Sequence, residues 1–547
     1  MAKLTGGEAI VKSLLAHGID TLYALPGVQN DWFFNALYDE NARTDSDQKI
    51  RVIHTRHEQG AAYMALGAAL ATGQVAAYSV VPGVGLLNTT AALATAYSVN
   101  AKVLCLTGQI LSTAINRGFG LLHEIPDQLG ILQTLTKWAE RINSPAEAPG
   151  LIAEAFRQMN TGRPRPVGLE CAPDVLSAKG EVDLTVPVLP QFRPPVDLDA
   201  IENAAKLLAQ AKNPLIFVGG GALEAGEAVR ELAEALQAPV VAARNGHGIL
   251  SSRHALSIHM PEAHTLWKQA DVVLAIGSRL QVPLQNWGHD ANLKLIRIDI
   301  DPTEHPRIVP PTVSLVADSQ DALRALIPAV AKHNSVRASR LDEMEALKEE
   351  TVGRMAYLEP QMSFLRTIRA ELPDDGYFVE EMTQVGYISR MALPIYQPRT
   401  YVSCGYQGTL GWGFATALGV KVAQPERAVL SVTGDGGFMF TVQELATAVQ
   451  HKIATVTLVF NDNAYGNVRR MQKENYGNRV IASDLRNPDF VKLAESFGAQ
   501  GIRATTQAEV SAALRTGFAT TDVPTIIEVP VGEMPSPWAM YFPPKTR

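Results

Sequence analysis

Short apolar runs alternate with longer amphipathic stretches along this chain, and the alternation recurs three times. Near the N-terminus, Thr21-Leu22-Tyr23-Ala24-Leu25 runs into Pro26-Gly27, and a helix is predicted from about Asp31. Residues 76–81 precede Pro82-Gly83-Val84-Gly85, and residues 102–107 precede Gly108-Gln109. Unbroken apolar runs suit strands covered on both faces. Their repetition as strand, glycine turn and helix predicts an α/β fold with parallel sheets. The middle region repeats the pattern at 214–218 before Gly219-Gly220-Gly221, at 270–276 before Gly277, and at 295–301 before Pro302. A charged helical stretch over 336–351 leads into a third region, with buried strands predicted at 428–433 and 455–460 and a crossover helix over 440–453. A Pro-rich stretch, 186–196, reads as a linker. The tail, 534–547, is rich in Pro and aromatics and could fold over a site. No internal repeat or low-complexity tract stands out.

At 547 residues the chain should hold roughly three to four domains. The pattern predicts three doubly wound, Rossmann-like domains, over 1–185, 196–335 and 355–547. A net charge of −7 gives no footprint for nucleic acid and no polybasic patch for a membrane. No run of 18 or more apolar residues predicts a membrane span. The first residues carry no long apolar stretch, so no signal peptide is expected. The three cysteines, Cys105, Cys171 and Cys404, form no CxxC pair. That usage suits a reducing cytoplasm.

In such sheets ligands bind at the turns following the carboxyl ends of strands. Gly434-Asp435-Gly436-Gly437 is such a turn, where glycines let backbone approach a phosphate and Asp435 can hold a hard cation. Asn461-Asp462-Asn463 ends the next predicted strand, so both turns share one sheet edge. Mg²⁺ is held by one or two carboxylates, with phosphates completing its shell. Gly-Asp-Gly by itself is an ordinary tight turn; the second polar cluster changes the odds. Far upstream, Arg56-His57-Glu58-Gln59-Gly60-Ala61-Ala62 puts a carboxylate at the start of a small-residue helix, where the helix dipole alone would favour it.

With these motifs the chain resembles the thiamine diphosphate (ThDP)-dependent enzymes of the acetolactate synthase, pyruvate oxidase and benzoylformate decarboxylase type. The resemblance implies pyrimidine-binding, middle and diphosphate-binding domains. It implies a homodimer or homotetramer with each active site between subunits. It makes Asp435, Asp462 and the carbonyl of Ala464 the Mg²⁺ ligands. Asp462 replaces the family's Asn, which leaves open which of Asn461, Asp462 and Asn463 binds metal. Gly434, Asp435, Gly436, Gly437, Asp462 and Tyr465 would line the diphosphate. Glu58 would hydrogen-bond the aminopyrimidine and favour its imino tautomer, a role that calls for a buried carboxyl of raised pKa. In Gly408-Thr409-Leu410-Gly411, Leu410 would wedge the cofactor into a bent shape and the Gly408 carbonyl would meet its amine.

On the substrate side, Val28 stands where decarboxylases of this type carry Asp or Ser, which suits a carboligase or lyase. Gln109 matches a glutamine of acetohydroxyacid synthases, and His123 could shuttle protons. Met471 stands where those synthases carry Trp. Ser278-Arg279-Leu280-Gln281-Val282 replaces their flavin-contacting segment, so FAD is not expected, and Gly219-Gly220-Gly221 reads as a packing turn. The resemblance implies action on 2-oxo acids or 2-hydroxy ketones, with an enamine passed to an acceptor carbonyl as in acetolactate synthase. The alternatives are simple decarboxylation, 2-hydroxy ketone cleavage, or cofactor binding without turnover. No nucleic-acid or membrane partner is expected.

Overall fold

The computed structural model describes residues 1–45, 47–185 and 189–547. Among them are three six-stranded sheets whose pairings are all parallel, flanked by helices, plus a two-stranded antiparallel ribbon, Ala2–Thr5 with Lys179–Val182. Numbered within each sheet in chain order, the strands of the N-terminal sheet lie 2-1-3-4-6-5, and those of the C-terminal sheet lie in that order too. The middle sheet is 3-2-1-4-5-6. The expected three Rossmann-like domains are present.

The central strands are buried throughout because both faces are covered. Ala76–Val80, Val103–Gly108 and Pro214–Val218 contain no exposed residue. In the outer sheets the order reverses between strands 1 and 3, where a doubly wound fold opens its ligand crevice. The N-terminal crevice lies between Thr21–Ala24 and Ala76–Val80, and the C-terminal one between Tyr377–Glu380 and Val429–Gly434. In the middle sheet the crevice turns fill one another. A Cβ on Gly219 would come 2.4 Å from the Gly277 carbonyl oxygen, and one on Gly221 2.7 Å from Gly277 Cα. These glycines are there for close packing.

The outer domains meet along two helices, Glu58–Thr72 and Trp412–Ala423. Both are buried nearly all round, so small residues replace the usual single apolar stripe. Their backbones touch at two glycines. A Cβ on Gly67 would lie 2.1 Å from Thr416 O, and one on Gly419 1.9 Å from Met64 O.

Several local expectations change. Residues 186–188 of the expected linker lie outside the described residues, and the remainder has no helix or strand. The charged helix runs Leu341–Arg354, starting later because residues 334–340 are irregular. The crossover helix is shorter, Glu444–Gln450. Residues 439–443 form turns instead, and Thr441 Oγ1 donates to Gly411 O at 3.0 Å. The tail passes the helix Gly466–Asn475, where Trp538 Nε1 donates to Asn467 Oδ1 at 3.2 Å. It then ends on the middle domain, with Arg547 paired to Asp290 at 3.0 Å.

Candidate active site

The C-terminal crevice gathers the acidic residues. Gly434 ends its strand and Asp435–Phe438 makes a single helical turn. With a turn this short, backbone amides rather than a long helix dipole would meet an anion here. A Cβ on Gly436 would come 2.6 Å from the Tyr465 ring, so glycine lets Tyr465 close over the turn. Asp435 is only 2% exposed. Its Oδ2 accepts from Asn487 Nδ2 at 2.5 Å. Burial pushes its carboxyl up, opposed by Asn487 and by the Gly436 and Ala464 amides.

Strand Val456–Asn461 delivers the second turn. Asp462 is pushed up to about 6, first by burial and then by the charge of Asp435, while Arg469 at 3.8 Å pulls the other way. Two carboxylates raised by burial, one of them also by its neighbour's charge, fit a hard cation between them. Asn461 is otherwise engaged. Its Nδ2 donates to Glu528 at 2.8 Å, and its Oδ1 accepts from Asn487 at 3.0 Å. Ala464 forms an isolated bridge with Asp484 while its neighbours carry the hydrogen bonds, Tyr465 N to Ser483 O and Leu485 N to Asn463 O, both 2.8 Å. Among the described residues that pairing uses no hydrogen bond to the Ala464 carbonyl. Among the described residues no three His, Cys, Asp or Glu side chains converge as a metal cage. Two carboxylates plus carbonyl and phosphate oxygens are the donor set Mg²⁺ accepts.

The Gly408 loop borders this crevice. Gly408 and Gly411 have φ of +59° and +76°, which an L side chain rarely adopts. Leu410 is half-buried. The loop is anchored by Glu381, which directly follows strand Tyr377–Glu380 and was not singled out from the sequence. Its Oε1 accepts from Gly411 N at 2.5 Å and its Oε2 from Gly413 N at 3.2 Å. Burial pushes Glu381 up to about 7, opposed by those amides and Thr433. Asn487, which ties Asp435 to Asn461, also escaped the sequence reading. It sits in an irregular segment without periodicity.

The N-terminal crevice holds the other candidates. Glu58 starts its helix, with the His57 ring capping Gln59 N at 3.1 Å. Glu58 Oε2 accepts from Asn88 Nδ2 at 3.0 Å, and its side chain is 13% exposed, so it is less buried than expected. His123 has φ +66°, and its Nδ1 lies 3.1 Å from Gln29 Oε1. Its carbonyl packs on Gly83, next to the Glu58 turn. Val28 is 63% exposed at the same sheet edge. Gln109 is buried at the same sheet edge. Its Nε2 donates to buried Glu170 at 3.2 Å and its Oε1 accepts from Ile110 N at 2.7 Å, a structural arrangement within the domain. No hydrogen bond or ion pair among the described residues joins Glu58 to the Asp435 cluster.

Comparison with known proteins agrees with this division. Residues 4–131 match the thiamine pyrophosphate enzyme N-terminal TPP binding domain, 201–326 the central domain, and 382–529 the C-terminal TPP binding domain. Relatives align over nearly their whole length. A probable 2-ketoarginine decarboxylase of Pseudomonas aeruginosa is 32% identical, over 96% of this chain and 94% of that protein. A probable acetolactate synthase large subunit of Methanocaldococcus jannaschii is 33% identical, over 94% and 89%. The acetolactate synthase isozyme 3 large subunit of Escherichia coli is 30% identical, over 92% and 90%. With two half-sites on matching sheet edges and three domain matches in order, the chain belongs to the thiamine pyrophosphate enzymes.

Proposed function

We propose that this enzyme uses ThDP and Mg²⁺ to act on 2-oxo acids or 2-hydroxy ketones, with acetolactate-synthase-like carboligation as its main reaction. The observation that carries the choice is Val28. It is an exposed apolar side chain at the mouth of the N-terminal crevice, and so offers no proton to a substrate carbanion. Bound ThDP supplies the carbanion chemistry through its thiazolium carbon; the protein supplies binding, orientation and proton control. Asp435, Asp462 and the Ala464 carbonyl would hold Mg²⁺. Gly434, Gly436, Gly437 and Tyr465 would line the diphosphate. Glu58 would hold a proton at the aminopyrimidine, while Leu410 and the Gly408 carbonyl fix that ring. His123, whose Nδ1 lies 3.1 Å from Gln29 Oε1, would move a proton near the substrate. FAD has no assigned role in this reading.

Two copies would complete each site. The separation of Glu58 from the Asp435 cluster supports a homodimer or homotetramer in which one chain's N-terminal crevice faces its neighbour's C-terminal crevice. Exposed Val28, Val84, Leu87 and Phe119 around the N-terminal edge would then be covered. The free, buried cysteines agree with a cytoplasmic protein. The second reading, 2-oxo acid decarboxylation, draws on the relative described as a probable 2-ketoarginine decarboxylase.

The test is to incubate purified protein with ThDP, Mg²⁺ and a panel of 2-oxo acids and aldehydes, following CO₂ and products by NMR. Acetohydroxy acids from pyruvate would support carboligation. Free aldehyde as the sole product would replace it with the decarboxylase reading.

A further inference from the structure

Helix Glu444–Gln450 belongs to the C-terminal domain, yet its polar ends serve the N-terminal one. At its start Glu444 is fully buried, and its Oε2 accepts from Arg56 N at 3.1 Å and from Thr447 Oγ1 at 2.6 Å. At its end Gln450 Oε1 accepts from Arg56 Nη2 at 3.4 Å, and the His451 ring meets His54 edge-on at 4.8 Å. What the helix grips is the end of strand Arg51–His54 and the turn leading to Glu58. Gly60 permits the approach, since a Cβ there would come 2.5 Å from the Glu444 carboxyl. Burial pushes Glu444 up, and Thr447 with the Arg56 and His57 amides pulls back. A carboxylate at the start of a helix satisfies amides that have no partner within it and is favoured by the dipole. A carboxyl with no role could have been replaced by an apolar side chain; this one spans two domains.

The other helix of the pair is held in the same manner. Glu381, also buried, accepts from the amides that open helix Trp412–Ala423. The residue spacing that relates Gly67 to Gly419 relates Glu58 to Leu410. Both residues assigned to the aminopyrimidine end of the cofactor therefore stand on segments pinned by a buried C-terminal carboxylate.

We propose that Glu444 is a positioning residue for Glu58: by binding the backbone of the Arg56 turn it sets where the Glu58 carboxylate lies. The proposal rests on the reading of Glu58 as the activating carboxylate. It also gives the stretch from Asp435 to Glu444 two duties, the metal turn at one end and the Glu58 turn at the other.

The experiment measures exchange of the ThDP C2 proton with D₂O in the holoenzyme, beside calorimetric titration of ThDP and Mg²⁺ into the apo-protein. Glu444→Ala should slow exchange by about 10–100-fold, the range found when a partner orienting a site group is lost, with cofactor affinity unchanged. Glu444→Gln should restore most of the rate, because its amide oxygen can still accept from Arg56 N. Gly60→Ala, which disturbs the contact from the opposite side with Glu444 intact, should slow exchange too. If Glu444→Ala does not fold, the Gln and Gly60 variants decide by themselves. Wild-type exchange in Gly60→Ala and Glu444→Ala, or a loss of cofactor affinity that accounts for the slower exchange, would overturn the proposal. If Glu58→Gln exchanges as fast as wild type, the Glu58 reading itself fails, and the proposal with it.

Discussion

The N-terminal and C-terminal sheets share strand order, parallel pairing and a switch-point crevice, yet their edges carry opposite chemistry. After its third strand the C-terminal sheet has Gly434-Asp435-Gly436-Gly437; the N-terminal sheet has Val81-Pro82-Gly83-Val84. After the fourth strand, one has Asn461-Asp462 and the other Gly108-Gln109. After the first, Glu381 faces the crevice in one, and Leu25 follows the strand in the other. The paired helices repeat the contrast, with Glu58 and Leu410 at corresponding positions. One fold thus supplies a charged half, proposed here for metal and diphosphate, and a mainly apolar half whose carboxylate, Glu58, is proposed to activate the cofactor. The lesson is that architecture fixes where a ligand can sit, while a few side chains fix which part of it sits there.

The largest effect expected from breaking that division comes from Glu58. Glu58→Gln keeps the shape and removes the exchangeable proton, so turnover should fall by about 10²–10⁴-fold, the usual worth of general acid–base help. Steady-state kinetics on the purified variant, with ThDP shown to be bound, checks this; turnover within a few-fold of wild type would make Glu58 a helix-start residue and no more. Next comes Asp435→Ala. Loss of an outer partner costs a metal site about 10–100-fold in affinity, and loss of a ligand should cost more. Titration of Mg²⁺ with ThDP should then show no saturable binding, while Asp462→Asn should bind about as well as wild type. Equal affinities for Asp435→Ala and wild type would take the metal away from this turn.

A pH experiment sharpens the contrast between Glu381 and its uncharged counterpart Leu25. Glu381 is raised from an ordinary 4.5 to about 7 by burial. An acid whose pKa is higher in the fold than in the unfolded chain favours the fold when protonated. Its contribution is complete below about 4.5 and is lost as pH rises through about 7. Glu381→Gln cannot titrate, so its stability relative to wild type should climb across that window by up to about 3 kcal/mol and then level off. Altered hydrogen bonds to Gly411 and Gly413 add only a constant offset; the slope is the signal. Denaturation of apo-protein at several pH values gives it, and a flat difference would mean that Glu381 does not titrate there.

How much of this was legible beforehand follows from the same physics. Asp435 and Asp462 could be placed because each follows a short, mostly apolar run that reads as a buried strand. Glu381 could not, because its strand, Tyr377–Glu380, is four residues long and is flanked by Asp374-Asp375 and Glu380-Glu381, so acids mask the run. Asn487 lies where no period exists to read. For Gln109 the motif gave the position at the sheet edge, and the structure adds its hydrogen bond to Glu170. Helix lengths were overread where turns such as 439–443 keep helix-compatible residues yet bend to meet the Gly408 loop.

The smallest expected effect tests whether the two halves are joined symmetrically. Gly67→Ala puts a methyl 2.1 Å from Thr416 O, and Gly419→Ala one 1.9 Å from Met64 O. Both neighbours are backbone, so the helices must part. Overpacking of this kind costs about 1–3 kcal/mol, set against about 1 kcal/mol gained from the better helix propensity of alanine. Each variant should therefore lose up to about 2 kcal/mol net. Gly353→Ala, in the exposed helix Leu341–Arg354 with no atom near its Cβ, should show only the gain. If one helix separation relieves both clashes, the double variant should lose less than the sum of the two, since neighbouring sites that share a displacement are not additive. Urea denaturation of these variants beside wild type measures this. Full additivity would mean that the two contacts yield independently, and that the helix pair does not move as one body.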